Sequence, residues 1–203
     1  MKSERFPSLQ RYLASLPRGV ESYPEAQVKA SVYRDGLDSF DLAREVEGLP
    51  EPVAELILDP LPVTAWVPEV HSLSVLLALR DRLFEPGPEG LDRYEHWVFE
   101  RNLRLLRRPL YRALFLLISP ERLLSGVERR WSAFRRGTSA RVVASGPGFA
   151  EIVISHPPKL YDQTVHRGLA GALRAAAAAA GARGPVAHLA GATDVEVHCT
   201  IRF

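Results

Sequence analysis

Cysteine and lysine are what this chain most plainly lacks. Cys199 stands alone among 203 residues, so no internal disulfide can form and no cysteine-based metal cage can be assembled. Lys2, Lys29 and Lys159 are the only lysines, and nearly all the positive charge is arginine. The planar arginine fork suits buried ion pairs and contacts with carboxylate or phosphate, although abundant Ala, Arg, Gly, Pro and Leu also fit a GC-rich coding bias. The formal net charge of +2 is too small by itself to imply a polyanionic partner. No apolar run approaches the roughly 18 residues of a membrane span. No basic start followed by an apolar run marks a signal peptide. A cytoplasmic protein with no membrane partner is therefore expected.

Catalytic signatures are missing too. There is no G-x-S-x-G elbow, no Walker-type loop and no G-x-G-x-x-G. His71, His96, His156, His166, His188 and His198 include no pair at H-x-x-x-H spacing, so no metal site is expected. Gly146-Pro147-Gly148 joins two strands instead of opening a helix, which makes it a poor phosphate cradle. Ser119 and Ser125 have no base at a recognisable offset. Glu45/Glu47 and Asp35/Asp38 read as solvated helix charges.

What is present is a sharp change of pattern. Val195, Val197, Cys199, Ile201 and Phe203 alternate with Glu196, His198, Thr200 and Arg202. Period two predicts a strand with one dry and one wet face. Before it, Ala140–Ser145 and Phe149–Ser155 flank Gly146-Pro147-Gly148 as a hairpin. Thr164–Ala180 reads as a helix stopped by Gly181 and Gly184, and Val186–Ala190 reads as another strand. Upstream of Gly137 the periodicity is helical. Helices are predicted over Ala26–Phe40, Pro50–Leu58, Val67–Phe84 and Leu91–Leu106, over a short apolar stretch Leu110–Ile118, and from the cap Ser119-Pro120 to about Arg136. The expected fold class is α+β: a helical N-terminal half packed on a C-terminal ββαββ unit with a mostly antiparallel four-stranded sheet. The expected division is residues 1–24, a helical part 25–136 and an α/β part 137–203, with 25–203 one folding unit. In residues 1–24, Phe6, Leu9, Leu13 and Leu16 share a helix face, which must dock on its own domain or on a protein partner.

Two arginine clusters, Arg101, Arg104, Arg107 and Arg108, then Arg129, Arg130, Arg135 and Arg136, could meet a phosphate backbone. Interspersed Glu95, Glu100, Glu121 and Glu128 fit a salt-bridged face better. The junction of helices and sheet is the natural place for a pocket. Trp131, Phe134 and Arg141 lie at the chain's switch into the sheet, and His156, Tyr161 and His166 lie in or beside the loop from hairpin to helix.

Two resemblances enter on particular residues. Val28-Lys29-Ala30-Ser31-Val32-Tyr33, Glu128-Arg129-Arg130-Trp131, Gly137-Thr138-Ser139-Ala140-Arg141-Val142 and the Gly146-Pro147-Gly148 hairpin resemble a large paralogous family of uncharacterised myxobacterial proteins of similar length. That family implies no catalytic residue. More distantly, helices followed by ββαββ resemble ligand-sensing domains of the haem-NO-binding and four-vinyl-reductase types. The first holds haem propionates through a Tyr-x-Ser-x-Arg motif. Here Ser139 and Arg141 match, Gly137 stands in place of the tyrosine, and His96 is the one axial ligand the resemblance would allow. The second type often carries a cysteine-containing zinc site, which a lone Cys199 cannot supply. No cofactor is expected, haem included.

These readings favour a non-enzymatic regulatory or sensory module that signals through a small apolar ligand or a protein partner, as a homodimer. The alternatives are a small-molecule enzyme with a pocket at the helix–sheet boundary and a nucleic-acid-binding protein using the arginine clusters.

Overall fold

The computed structural model describes residues 5–109 and 119–203; the helix expected over 110–118 lies outside the described residues. In chain order the elements are α1 (Pro7–Ser15), β1 (Gln27–Lys29), α2 (Ser31–Leu37), α3 (Glu51–Leu58), β2 (Trp66–Pro68), α4 (Glu69–Leu83), α5 (Pro88–Arg107), α6 (Pro120–Ser125), α7 (Val127–Phe134), β3 (Arg135–Arg136), β4 (Ser139–Gly146), β5 (Phe149–Ser155), α8 (Gln163–Ala179), β6 (Val186–Ala192) and β7 (Glu196–Arg202). The fold is α+β, as the sequence predicts. A helical N-terminal half packs on a C-terminal ββαββ unit, whose four-stranded sheet is antiparallel throughout in the order β4-β5-β7-β6.

The alternation at the C-terminus sets that sheet's dry face. Val197, Cys199 and Ile201 on β7 lie opposite Ile154, Ile152 and Ala150 on β5, and all six are buried. The strand begins one residue later than the pattern suggested, at Glu196, with Val195 left 43% exposed. The edge strands β4 and β6 each carry a register shift, at Val142/Ala144 and Leu189/Gly191; such irregularities discourage edge-to-edge pairing.

A second sheet, order β2-β1-β3, was not foreseen. Gln27–Lys29 is a strand and not the start of a helix, and Trp66–Pro68 precedes α4 as another. Val28 pairs with Val67 on one side and Arg135 on the other. Strands this short carry too little period-two signal to be read locally; pairing among distant segments decides them. The helix expected to run to Arg136 breaks at Gly126 and ends at Phe134, because Arg135–Arg136 joins β1. The Ser119 cap is as read: its hydroxyl accepts the Arg122 N–H at 3.4 Å.

The amphipathic helix α1 docks within the chain. Phe6, Leu9, Tyr12 and Leu16 are buried. Asp81 Oδ2 on α4 accepts the Ser8 and Leu9 N–H groups at 2.8 and 3.2 Å, satisfying donors a helix start leaves orphaned. Tyr12 donates to the Leu160 carbonyl at 3.0 Å and Tyr23 to that of Pro158 at 2.8 Å.

On the other side, α8 lies between the sheet and α5. Asp162 caps it, accepting the Val165 N–H at 2.8 Å. A Cβ at Gly171 would stand 2.7 Å from the Glu95 carbonyl oxygen, so the glycine is what lets α5 approach. Arg167 and Arg174 then pair with Glu95 at 3.0 and 3.3 Å.

Candidate functional site

Where α5, α6, α7 and α8 meet over α4 they leave a cavity of about 190 Å³. On α8, Leu169, Ala172, Leu173 and Ala176 recur at helical spacing and line one wall. On α5, Tyr94, Val98, Arg101 and Leu105 do the same at spacings of four, three and four. Leu124, Val127, Trp131 and Phe134 close a third side, with Leu73 and Leu76 of α4 beneath. Among the described residues the lining is almost wholly apolar. Its cationic members are Arg101, Arg130 and Arg135. Burial raises the Tyr94 phenol to about 12, so it stays protonated at neutral pH.

Beside the cavity sits a buried polar cluster. Glu69, at the start of α4, is 1% exposed. Its Oε1 accepts from Arg135 Nε at 2.9 Å and from the Tyr161 hydroxyl at 2.8 Å. Burial and the Glu69 carboxylate hold the Tyr161 phenol well above its ordinary pKa. Burial alone would lower Arg135, but Glu69 and Tyr161 beside it together more than offset that and raise it. The Arg135 guanidinium also lies 4.5 Å from the Trp131 ring centre, and Trp131 donates to Thr138 Oγ1 at 2.9 Å. His156 packs on Tyr161 with ring centres 4.5 Å apart. Its Nδ1 is 2.8 Å from the Pro157 carbonyl oxygen. A carbonyl only accepts, so Nδ1 carries the proton in the neutral ring. Burial lowers the pKa of His156. Burial, with His156 nearby, lowers His166 to about 4.

Of the residues the sequence singled out, Trp131 and Phe134 line the cavity. His156 and Tyr161 belong to the Glu69 cluster, with His166 at its edge, and none of the three lines the cavity wall. Arg141 is elsewhere: its side chain is 56% exposed on β4, 4.0 Å from Glu196. The arginine clusters are dispersed. Arg101 is buried, Arg135 is paired with Glu69, Arg130 donates to the Leu123 carbonyl at 3.0 Å, and Arg136 lies over Trp66 at 3.9 Å. Arg108 pairs with Asp35 at 2.7 Å. Reading from sequence passed over Tyr94, Glu69 and the inward faces of α5 and α8. The α5 stripe was legible in its spacing, with an arginine in an otherwise apolar row.

No family model matches the chain, and no curated protein matches it. A solved structure described as "Modulating Heme Redox Potential Through Protein-Induced Porphyrin Distortion" is similar over 100% of both chains, at 9% identity and a TM-score of 0.50. The likeness is one of fold. A second, the Fe(II) unliganded H-NOX protein from K. algicida, covers 86% of this chain and 95% of its own at 14% identity and a TM-score of 0.48. The first of them, whose description names haem, agrees in fold with the architectural resemblance to haem-binding sensory domains drawn from the sequence. Neither structure bears on the myxobacterial resemblance.

The residues present do not fit haem. His96 is exposed on α5 and stacks on Phe99, with ring centres 6.1 Å apart. No histidine or cysteine is among the cavity's lining residues, and the segment 110–118 contains neither. Gly137, at the motif's tyrosine position, has φ of +71°. A Cβ there would stand 2.8 Å from Ala26 Cα, so no tyrosine can be seated. Arg141, the motif's arginine, pairs towards Glu196 on the sheet and lies off the cavity wall.

Proposed function

We propose that this chain is a sensory or regulatory module that binds a small apolar ligand between α5 and α8 and carries out no chemistry on it. The supporting observation is the apolar cavity itself, built where the helical half meets α8. A cavity of roughly 150 Å³ lined by Leu, Ile and Phe stays dry and takes benzene or xenon, so about 190 Å³ suits a ligand of one ring or a short chain. The fold supports the same reading: the neighbour that matches over its whole length is described as a haem protein. In this chain the cavity would hold something smaller and metal-free. Arg135 and Trp131 touch both the cavity and the Glu69 cluster, which offers a route for signalling from ligand to fold.

The test is calorimetry with small aromatic probes, repeated on Ala172→Phe, which fills the cavity from α8. Binding by the unaltered protein and its loss in the variant are the expected results. Equal binding by both would move the ligand elsewhere, and turnover of any probe would end the non-enzymatic reading. Self-association belongs to the same proposal. Analytical ultracentrifugation decides it, a monomer removing the homodimer.

A further inference from the structure

Arg101 is 3% exposed and stands on the cavity wall between Val98 and Leu105. Its Nη1 donates to the Val32 carbonyl at 2.7 Å, and its guanidinium lies 5.1 Å from the Trp97 ring centre. Its Nε is buried with no partner. Among the described residues it makes no ion pair. The acid nearby, Asp35, gives Oδ1 to Arg108 Nη2 at 2.7 Å; it acts on Arg101 through space and makes no direct ion pair with it. A guanidinium presents five donors and cannot shed its charge in a protein. Burying that charge unpaired is costly, because the lost hydration is not replaced.

The other two cavity arginines are satisfied. Arg135 is neutralised by Glu69 at 2.9 Å. Arg130 makes no ion pair among the described residues either, but it is only half-buried and donates to the carbonyls of Leu123 and Arg122 at 3.0 and 3.4 Å. Among the described lining residues Arg101 is therefore the cation that is both buried and without an ion pair, set beside apolar groups such as Leu73, Leu105, Leu169 and Leu173. From this we infer that the ligand is a small apolar monocarboxylate, its ring or chain against the leucines and its carboxylate on Arg101. A doubly charged phosphate would need a second buried cation free of an ion pair, and a neutral hydrocarbon would leave Arg101 with no direct partner for its charge. A planar carboxylate matches the fork in geometry as well as charge. The inference rests on the cavity being the ligand site.

The experiment uses phenylacetate, 2-phenylethanol and toluene as probes, titrated into the full chain by calorimetry. Phenylacetate should bind on the order of ten- to a hundredfold more tightly than 2-phenylethanol, the range expected of a charge-assisted hydrogen bond. Arg101→Met should abolish that preference and leave the alcohol's affinity unchanged. A purely structural arginine would instead lower thermal stability without touching the acid-over-alcohol ratio. Equal affinity for acid and alcohol in the unaltered protein overturns the carboxylate and leaves the cavity reading standing. Failure of all three probes overturns both. A full preference surviving in R101M overturns the assignment to Arg101. Should R101M not fold, the acid-over-alcohol ratio of the unaltered protein decides on its own, supported by Arg101→Lys, which keeps the charge and should keep part of the preference.

Discussion

Glu69 and Arg135 lie 66 residues apart in sequence and meet at 2.9 Å in the interior. The pair joins the first turn of α4 to β3, and Tyr161 adds the loop before α8 at 2.8 Å from the same oxygen. Three segments thus share one carboxylate.

Removing that carboxylate leaves a largely buried guanidinium uncompensated. Glu69→Ala is expected to cost about 3–5 kcal/mol in urea denaturation, and the double replacement Glu69→Met with Arg135→Met to cost less than the single one. A loss below about 1 kcal/mol for Glu69→Ala would show that the pair is not structural.

His166 makes stability depend on pH. Its folded pKa of about 4 lies below the ordinary 6.5. Between those values the unfolded chain is protonated and the folded one is not. Stability is therefore fully present above about pH 6.5 and falls as pH drops towards 4; His156, also lowered by burial, acts with the same sign. His166→Gln should shrink the difference in urea midpoint between about pH 7 and about pH 5. An unchanged difference would assign the slope to other groups.

Gly137 is held at φ of +71° with backbone of Ala26 where a Cβ would go. Gly137→Ala is expected to lower stability by about 1–3 kcal/mol or more, from strain and overlap together. Thermal melting measures it, and an unchanged midpoint contradicts the close approach.

Ile201 is 0% exposed at the centre of the sheet. Ile201→Ala should cost about 2–5 kcal/mol, and removal of Ile201 to Phe203 should destabilise the whole domain. Denaturation curves that overlay those of the full chain would refute this.

Cys199 should be inert in the folded state. Burial raises its thiol to about 12, leaving almost no thiolate at neutral pH. Labelling by a thiol reagent is expected to track global unfolding; rapid labelling under native conditions would expose a local opening at β7.

Much of the fold was legible. The alternation through Val197, Cys199 and Ile201, the turn at Gly146-Pro147-Gly148 and the small-residue face of α8 are local signals, written at the spacing of the element they form. Trp131 and Phe134 could be placed near a pocket because they precede the switch into the sheet. Arg141, His156, Tyr161 and His166 were grouped with them by position along the chain. Their side chains part ways in space: Arg141 lies on the wet face of β4, Tyr161 and His156 gather at Glu69, and His166 stays at the edge beside His156.

By itself the sequence determined the secondary elements longer than about two turns, the α+β order and the dry face of the last strand, because periodicity encodes which side of an element meets the core. Only the tertiary structure decided the small sheet of β1, β2 and β3, the Glu69–Arg135 pair and the cavity with its unpaired Arg101. Each of these depends on segments tens of residues apart closing on one another. A single stretch of chain carries no local signal for a partner it has yet to meet.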